Sequence, residues 1–244
     1  MNIYGYTFAQ LEQYLLEIGE KSAKAPFITK GLYRPNVSSF SDMKDVKKSI
    51  IQRMETDFEM ILPEIVEHVE SEDSVKFLFE LSDGNIVEAV LMRQQYGNSL
   101  CVSTQVGCNM GCTFCQSGRQ EKIRNLETWE MTAQLIAIEQ RISMKISNVV
   151  LMGIGEPFDN YDNIMNFISI LNNPHMINIG KRHISTSTCG IVPRIYDYMN
   201  HPNAGLLAVS LHAPNDNLRN QLMPVNRAYP LEKLMEALDA YISA

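Results

Sequence analysis

Gly107-Cys108-Asn109-Met110-Gly111-Cys112-Thr113-Phe114-Cys115 sets three cysteines at C-x3-C-x2-C, directly after a strand-like run, Leu100–Val106. Three thiolates of one loop can bind three irons of a cubane and leave the fourth iron open, whereas a fourth cysteine would close the cluster to ligands. Gly107 and Gly111 let the backbone curl where a side chain would collide. Phe114 can shield such a cluster from water, and hydration is one of the factors that set its potential. The competing readings are a zinc site or three unrelated thiols. Structural zinc sites usually come as two ligand pairs. No second C-x2-C or histidine pair accompanies this one, and the nearest histidine downstream is His175. Cys101 and Cys189 bring the total to five cysteines. That is too few and too clustered for a disulfide scaffold; in a reducing compartment the cluster reads as metal binding or catalysis.

Downstream, strand and helix patterns alternate four times. Leu100–Val106 leads to an amphipathic helix at Thr128–Ile142, with Thr128 as its expected N-cap. Val149–Met152 precedes a helix near Tyr161–Leu171, His183–Thr188 pairs with Pro193–Met199, and Leu206–Leu211 leads to Leu231–Ile242. Such repeats build a parallel sheet with right-handed crossovers, open or closed into a barrel. Four units can make an open sheet but are too few to close a barrel.

Upstream, residues 61–98 switch to period-two alternation. Val75, Phe77, Phe79 and Leu81 alternate with polar residues, Asp83-Gly84 supplies a hairpin turn, and Ile86, Glu88 and Val90 share one face of the return strand. Glu88 is thus an acid on an otherwise apolar face, expected either on an edge strand facing water or in a functional role. Residues 1–60 read as a small helical module. Leu11, Leu15, Leu16 and Ile18 give the apolar face of one helix, and Ile28–Tyr33 suggest a second. A third opens near Asp42, with Val46, Ile50, Ile51 and Met54 at helical spacing, after a loop at Asn36-Val37-Ser38-Ser39.

With 45% hydrophobic and 20% charged residues in 244, the chain has the composition of a globular protein with a real core. No run reaches the roughly 18 apolar residues of a membrane helix, and Met1–Gln13 lacks the features of a secretory signal. No membrane association and a cytoplasmic address are therefore expected. The formal net charge of −7 argues against one large basic face for nucleic acid. It leaves room for a local stripe at Lys44, Lys47, Lys48 and Arg53, which on charge alone reads more readily as a solvated helix face.

The cysteine motif at the end of a first barrel strand resembles the signature of radical S-adenosylmethionine (SAM) enzymes. Leu100–Cys108, Met152-Gly153-Ile154-Gly155-Glu156-Pro157, Ser187-Thr188-Cys189-Gly190-Ile191-Val192-Pro193, Ser210-Leu211-His212-Ala213-Pro214 and Leu222-Met223-Pro224-Val225-Asn226 follow in the order found in RlmN/Cfr RNA methyltransferases. The resemblance starts in the N-terminal helices, with Gly31-Leu32-Tyr33 and Val37–Phe40, and runs to the last residue. It implies an α/β fold: a partial (βα) barrel over residues 99–244, a β-hairpin extension over 61–98 and an RNA-binding-like accessory domain over 1–60.

The same resemblance implies a [4Fe–4S] cluster on Cys108, Cys112 and Cys115, whose open iron is chelated by the methionine part of SAM. Reductive cleavage then yields a 5′-deoxyadenosyl radical. Gly155 and Glu156 would receive the cofactor ammonium, with Ser187, Ser210, Leu211 and His212 holding its ribose and carboxylate. Glu88 would accept the proton that leaves the reacting carbon. Cys101 would resolve a covalent enzyme–RNA adduct by forming a disulfide with a second, methyl-carrying cysteine. The implied substrate is an adenosine of 23S rRNA, methylated at C2 rather than C8, with transfer RNA as a second substrate and an electron donor such as flavodoxin as a partner. The methyl-carrying cysteine and a cofactor-binding asparagine of the family fall beyond Ala244, on the order of 100 residues at about 30 per strand–helix unit. These 244 residues alone are accordingly expected to bind a cluster without transferring a methyl group by the two-cysteine route. Cys189 is expected to be structural. The alternatives are another radical SAM enzyme, an activase or maturase, and an inactive binding remnant.

Overall fold

Thr7 opens the first helix, α1 (Phe8–Glu17), with a reciprocal cap: its hydroxyl accepts the Gln10 N–H and the Gln10 side chain accepts the Thr7 N–H at 2.8 Å. In this computed structural model, which describes every residue except Pro35 and Asn36, Leu11, Tyr14 and Leu15 form the buried face of α1. Leu16, expected on that face, is 55% exposed, and Ile18 lies just past the helix. α2 (Ala25–Leu32) starts earlier than its apolar residues suggest, because Pro26 suits a first turn. α3 (Lys48–Asp57) buries Ile50, Ile51 and Met54; Asp42 closes a separate 3-10 turn, Phe40–Asp42. Asn36 of the expected loop lies outside the described residues. In the basic stripe, Lys47 pairs with Glu20 at 3.0 Å and Arg53 with Asp57 at 2.7 Å, so the chain's own acids answer two of its four cations.

The hairpin is present as β2 (Ser74–Glu80) and β3 (Ile86–Gln94), but it does not stand alone. A further strand, β1 (Glu64–Glu70), precedes it, and β4 (Gly97–Val102) pairs with β3. The chain then makes a short ribbon from β5 (Gln105–Val106) and β6 (Arg124–Asn125). The alternating part consists of α4 (Thr128–Ile142), β7 (Asn148–Leu151), α5 (Tyr161–Asn172), β8 (Ile184–Thr188), α6 (Val192–Met199) and β9 (Leu206–Val209). Two helices follow β9, α7 (Asp216–Leu222) and α8 (Leu231–Ser243), where one was expected. One seven-stranded sheet results, in the order β1-β2-β3-β4-β7-β8-β9. Its first three pairings are antiparallel and its last three parallel. It remains open, with β1 and β9 as its edges.

The expected cap of α4 is displaced by one residue. Glu127 is the N-cap, in a reciprocal box with Glu130, and the Thr128 hydroxyl instead donates to Asn163. Arg124 grips the buried Glu130 at 2.7 Å and Asp83 of the β2–β3 turn at 2.6 Å, locking the hairpin onto the start of α4.

The period of two explains what the sheet does next. Leu100, Val102, Val149, Leu151, Ile184, Thr186 and Thr188 point to one face and are buried. Cys101, Val150, Ser185, Ser187 and Ala208 point to the other and remain half-exposed. Glu88 corrects the sequence reading in two respects. β3 is an interior strand, paired on both sides, and not an edge. The core face of β3 is Val87, Ala89 and Leu91, so Ile86, Glu88 and Val90 lie on the open face.

Candidate active site

Register brings distant residues onto that open face. Val90 stands opposite Cys101, Cys101 opposite Val150, Val150 opposite Ser185, and Ser187 opposite Ala208. Glu88 and Cys101 therefore share one side of the sheet with Ser187, and Ser210 continues the β9 alternation, its N–H donating to the Thr188 carbonyl at 2.9 Å. The Glu88 carboxylate also pairs with Lys76 at 3.0 Å. Burial pushes the Cys101 thiol up to about 11, against a hydrogen bond from the Met152 backbone and with a further push from the Glu88 charge. Cys101 is thus a neutral thiol at pH 7, close enough to Glu88 to feel it.

The cysteine loop leaves β5 at the C-terminal end of the parallel strands. Gly107 turns it at φ +74° and Gly111 at φ +65°, a region that costs other residues energy. Cys108 donates its N–H to Gln120 O at 3.2 Å, Cys115 to Cys112 O at 3.1 Å, and Thr113 to Leu222 O at 3.0 Å at the end of α7. Cys108 and Cys112 are buried, Cys115 is half-buried, and all five cysteines are free thiols. Burial raises Cys108, while burial and then the neighbouring Cys108 and Cys115 push Cys112 up to about 11. The three thiols thus share one neighbourhood, and metal must displace the protons of Cys108 and Cys112. Among the described residues no three His, Cys, Asp or Glu side chains converge as a single metal ion requires. A cubane asks something different, since each thiolate binds its own iron. Three free thiols on one glycine-turned loop beside an open sheet face suit that group.

The Gly153–Glu156 turn is laced to the segment before the loop. Thr104 and Gln105 donate their N–H groups to Ile154 O at 2.8 and 3.1 Å, and Gln105 Oε1 accepts the Glu156 N–H at 2.9 Å. Gly155, at φ +111°, lies so close to Gln105 and Thr104 that a Cβ would fall 2.7 Å from Gln105. Glu156 departs from expectation. Its side chain is not a free anion at the strand end: the residue is 4% exposed, Oε1 accepts the Phe158 N–H at 3.0 Å and Oε2 the Cys189 N–H at 2.8 Å. Burial raises its carboxyl despite these donors and the Thr188 hydroxyl. What the turn offers outward is chiefly backbone.

At the next two strand ends, Cys189 is buried as expected and its thiol is raised by burial and by Glu156. His212 has φ +55° and its ring centre lies 4.4 Å from that of Phe114, which is 49% exposed, so the cysteine loop touches the end of β9. Two participants escaped the sequence reading. Gln105 accepts from Glu156 and donates to Asp159 at 3.0 Å. Arg219 is fully buried beneath Ser210 and Leu211. Neither carries a local signal, because each looks like an ordinary surface polar residue.

Comparison with known proteins matches two family models. The radical SAM superfamily model covers residues 102–244, and the ribosomal RNA large subunit methyltransferase N-terminal domain model covers residues 1–60. A protein of Thermoanaerobacter sp. (strain X514) named probable dual-specificity RNA methyltransferase RlmN is 48% identical over 243 residues, which are 99% of this chain and 71% of that protein. This chain belongs to the RlmN family of radical SAM enzymes. A relative of the same name from Oceanobacillus iheyensis is 43% identical over 99% of this chain and 70% of its own length. A crystal structure of a radical SAM methyltransferase from Sphaerobacter thermophilus superposes with a TM-score of 0.91 at 37% identity, covering all of this chain and 73% of that one. The RlmN-type chain therefore carries both matched domains, and the resemblance read from its motifs extends over the whole of its fold. Among the described residues no helix is long and apolar enough to cross a membrane.

Proposed function

We propose that the protein to which this RlmN-family chain belongs methylates C2 of an adenosine in 23S rRNA and in transfer RNA, in the cytoplasm, with electrons from a donor such as flavodoxin. The observation that carries the reading is the shared face: Glu88 and Cys101 lie on the open side of the sheet with Ser187, beside the cysteine loop. Bound SAM and a reduced [4Fe–4S] cluster would supply radical chemistry at that face. Cys108, Cys112 and Cys115 would hold the cluster, with no fourth cysteine in their loop to close it to a cofactor. Gly155 and the Glu156 backbone would receive the amino group of bound SAM, while Ser187, Ser210, Leu211 and His212 would hold its ribose and carboxylate.

Glu88 takes the proton from the reacting ring carbon, steadied by Lys76. Cys101 stays protonated until it is called on as a thiolate. The base must leave its stack to reach this face, as in other enzymes that act on base atoms.

The test uses the protein expressed from its complete gene, reconstituted anaerobically and given methyl-labelled SAM with an rRNA fragment. Label at adenine C2 is expected. With Glu88→Gln, label on adenine should fall by at least about 100-fold, a typical general-base contribution, while 5′-deoxyadenosine still forms. Cofactor cleavage with unlabelled RNA in the unsubstituted protein would overturn the RNA assignment in favour of another radical SAM reaction.

A further inference from the structure

Arg219, on α7, is fully buried, yet every acceptor it reaches is neutral. Nε donates to Leu211 O at 3.1 Å, Nη1 to Asn226 Oδ1 at 2.7 Å, and Nη2 to Cys189 O at 2.6 Å and Ser210 O at 3.2 Å. Among the described residues it has no direct ion-pair partner; Asp216 answers it only through an amide, since Asn226, which accepts from Nη1, donates to Asp216 Oδ1 at 2.8 Å. A buried, unpaired cation is costly, so its presence calls for a task that a neutral side chain would not perform. The planar five-donor fork can hold carbonyls from several segments in one fixed geometry. Here those carbonyls come from the turn after β8 and the turn after β9. Gly190, at φ +107°, leaves the room: a Cβ there would lie 3.3 Å from Arg219 Nη2.

Two further contacts extend this clamp. On its far side, Cys189 gives its N–H to the buried Glu156 side chain, so one residue is held between a buried carboxyl group and a buried guanidinium. At the C-terminal end of α7, Leu222 O accepts the Thr113 N–H of the cysteine loop. Met223 packs with Cys112 and Cys189, and Pro224 lies 3.5 Å from where a Cβ on Gly111 would sit. α7 is therefore a strap, pinned by Arg219 to two strand ends and by its last turn to the cysteine loop.

We propose that Arg219 is a positioning residue that sets the cysteine loop against the Ser187 and Ser210–His212 turns, and that its unpaired charge raises the potential of the cluster the loop holds. The second half rests on the cluster reading above; the first concerns only this chain. Net charge around an iron–sulfur cluster is one of the factors that set its potential, and an added electron is favoured beside a cation.

Arg219→Lys keeps the charge and loses the fork; Arg219→Met loses both. In the cluster-free protein, hydrogen exchange reads the first half. The amides of Thr113, Ser210 and Ala213 should exchange about tenfold faster in Arg219→Lys, with those of β2 and β3 unchanged. In the reconstituted protein, Arg219→Lys should keep the unsubstituted potential but bind SAM about tenfold more weakly, the usual scale of an outer-shell loss. Arg219→Met should in addition move the potential downward. If Arg219→Met does not fold, the Arg219→Lys exchange and affinity arms decide. Unsubstituted exchange rates and SAM affinity in Arg219→Lys would overturn the positioning role. An unchanged potential in a folded Arg219→Met would overturn the charge role. Failure of the unsubstituted protein to take up a four-iron cluster would instead contradict the site reading and the charge role with it, and the exchange arm would still decide on positioning.

Discussion

Gly107→Ala is expected to destabilise the cysteine loop by about 3 kcal/mol and to reduce iron uptake to a small residue of the unsubstituted level. Two costs add. The backbone at 107 has φ +74°, where an L side chain costs about 1–2 kcal/mol. The added Cβ would also stand 2.1 Å from Glu121 O and 2.8 Å from Glu121 C. These are backbone atoms, so no rotamer change relieves the overlap. The surrounding chain cannot easily retreat, because Cys108 N–H donates to Gln120 O at 3.2 Å and Ile123 N–H to Val106 O at 2.8 Å. Relief by main-chain shift costs a further roughly 1–3 kcal/mol, as overpacking does. Gly84 is the control: at φ +79° with open space around it, its alanine variant should lose only the conformational part. Denaturant unfolding and iron content of both variants measure the difference. Equal losses for the two, with normal iron uptake, would show that the close approach at Gly107 does not matter.

Glu156→Ala is expected to cost about 3 kcal/mol, since it leaves the Phe158 and Cys189 N–H groups buried without acceptors, at roughly 1–3 kcal/mol each. Glu156→Gln should recover only part of this, because an amide turns an NH2 group toward one of two N–H donors. The pH dependence has a definite sign. Burial holds the Glu156 carboxyl above its ordinary 4.5 in the folded chain. Between 4.5 and that raised value the folded state keeps a proton that the unfolded state has lost. The contribution of this group is then full below 4.5 and falls as pH rises through the window. Denaturant unfolding at successive pH values should show this decline in the unsubstituted protein and a flatter profile in Glu156→Gln. Identical profiles would mean that Glu156 does not titrate differently on folding.

The fold was legible where side-chain burial makes the pattern. Val75, Phe77 and Phe79 alternate because one face of β2 is core, and Ile50, Ile51 and Met54 repeat because one face of α3 is. β1 was not legible: it carries Glu64, Glu67 and Glu70, most of it is exposed, and pairing with β2 rather than burial makes it a strand. α7 hid for a related reason. Its seven residues are mostly polar, and it is secured by the Asn215 cap and by the inward-pointing Arg219, a residue type that normally marks a surface.

The cysteine loop and the strands around it were legible from sequence, but not all of the strand ends: the run expected at Leu100–Val106 breaks after Val102, and the one expected at Leu206–Leu211 stops at Val209. Less visible was which face of β3 is covered, since Val87, Ala89 and Leu91 compete with Ile86 and Val90 as an apolar set; the covering layer decides, and that is a tertiary fact. The engagement of Glu156 was equally hidden, because its partners at Phe158 and Cys189 are backbone groups that any residue would supply.

The most direct test of an open-iron cluster on Cys108, Cys112 and Cys115 is anaerobic reconstitution followed by iron and sulfide analysis and electron paramagnetic resonance with and without SAM. About four irons and four sulfides per chain are expected, with a reduced-state spectrum that SAM visibly alters and loss of the chromophore in Cys115→Ala. A single bound metal ion, a spectrum indifferent to SAM, or an intact cluster in Cys115→Ala would contradict that assignment.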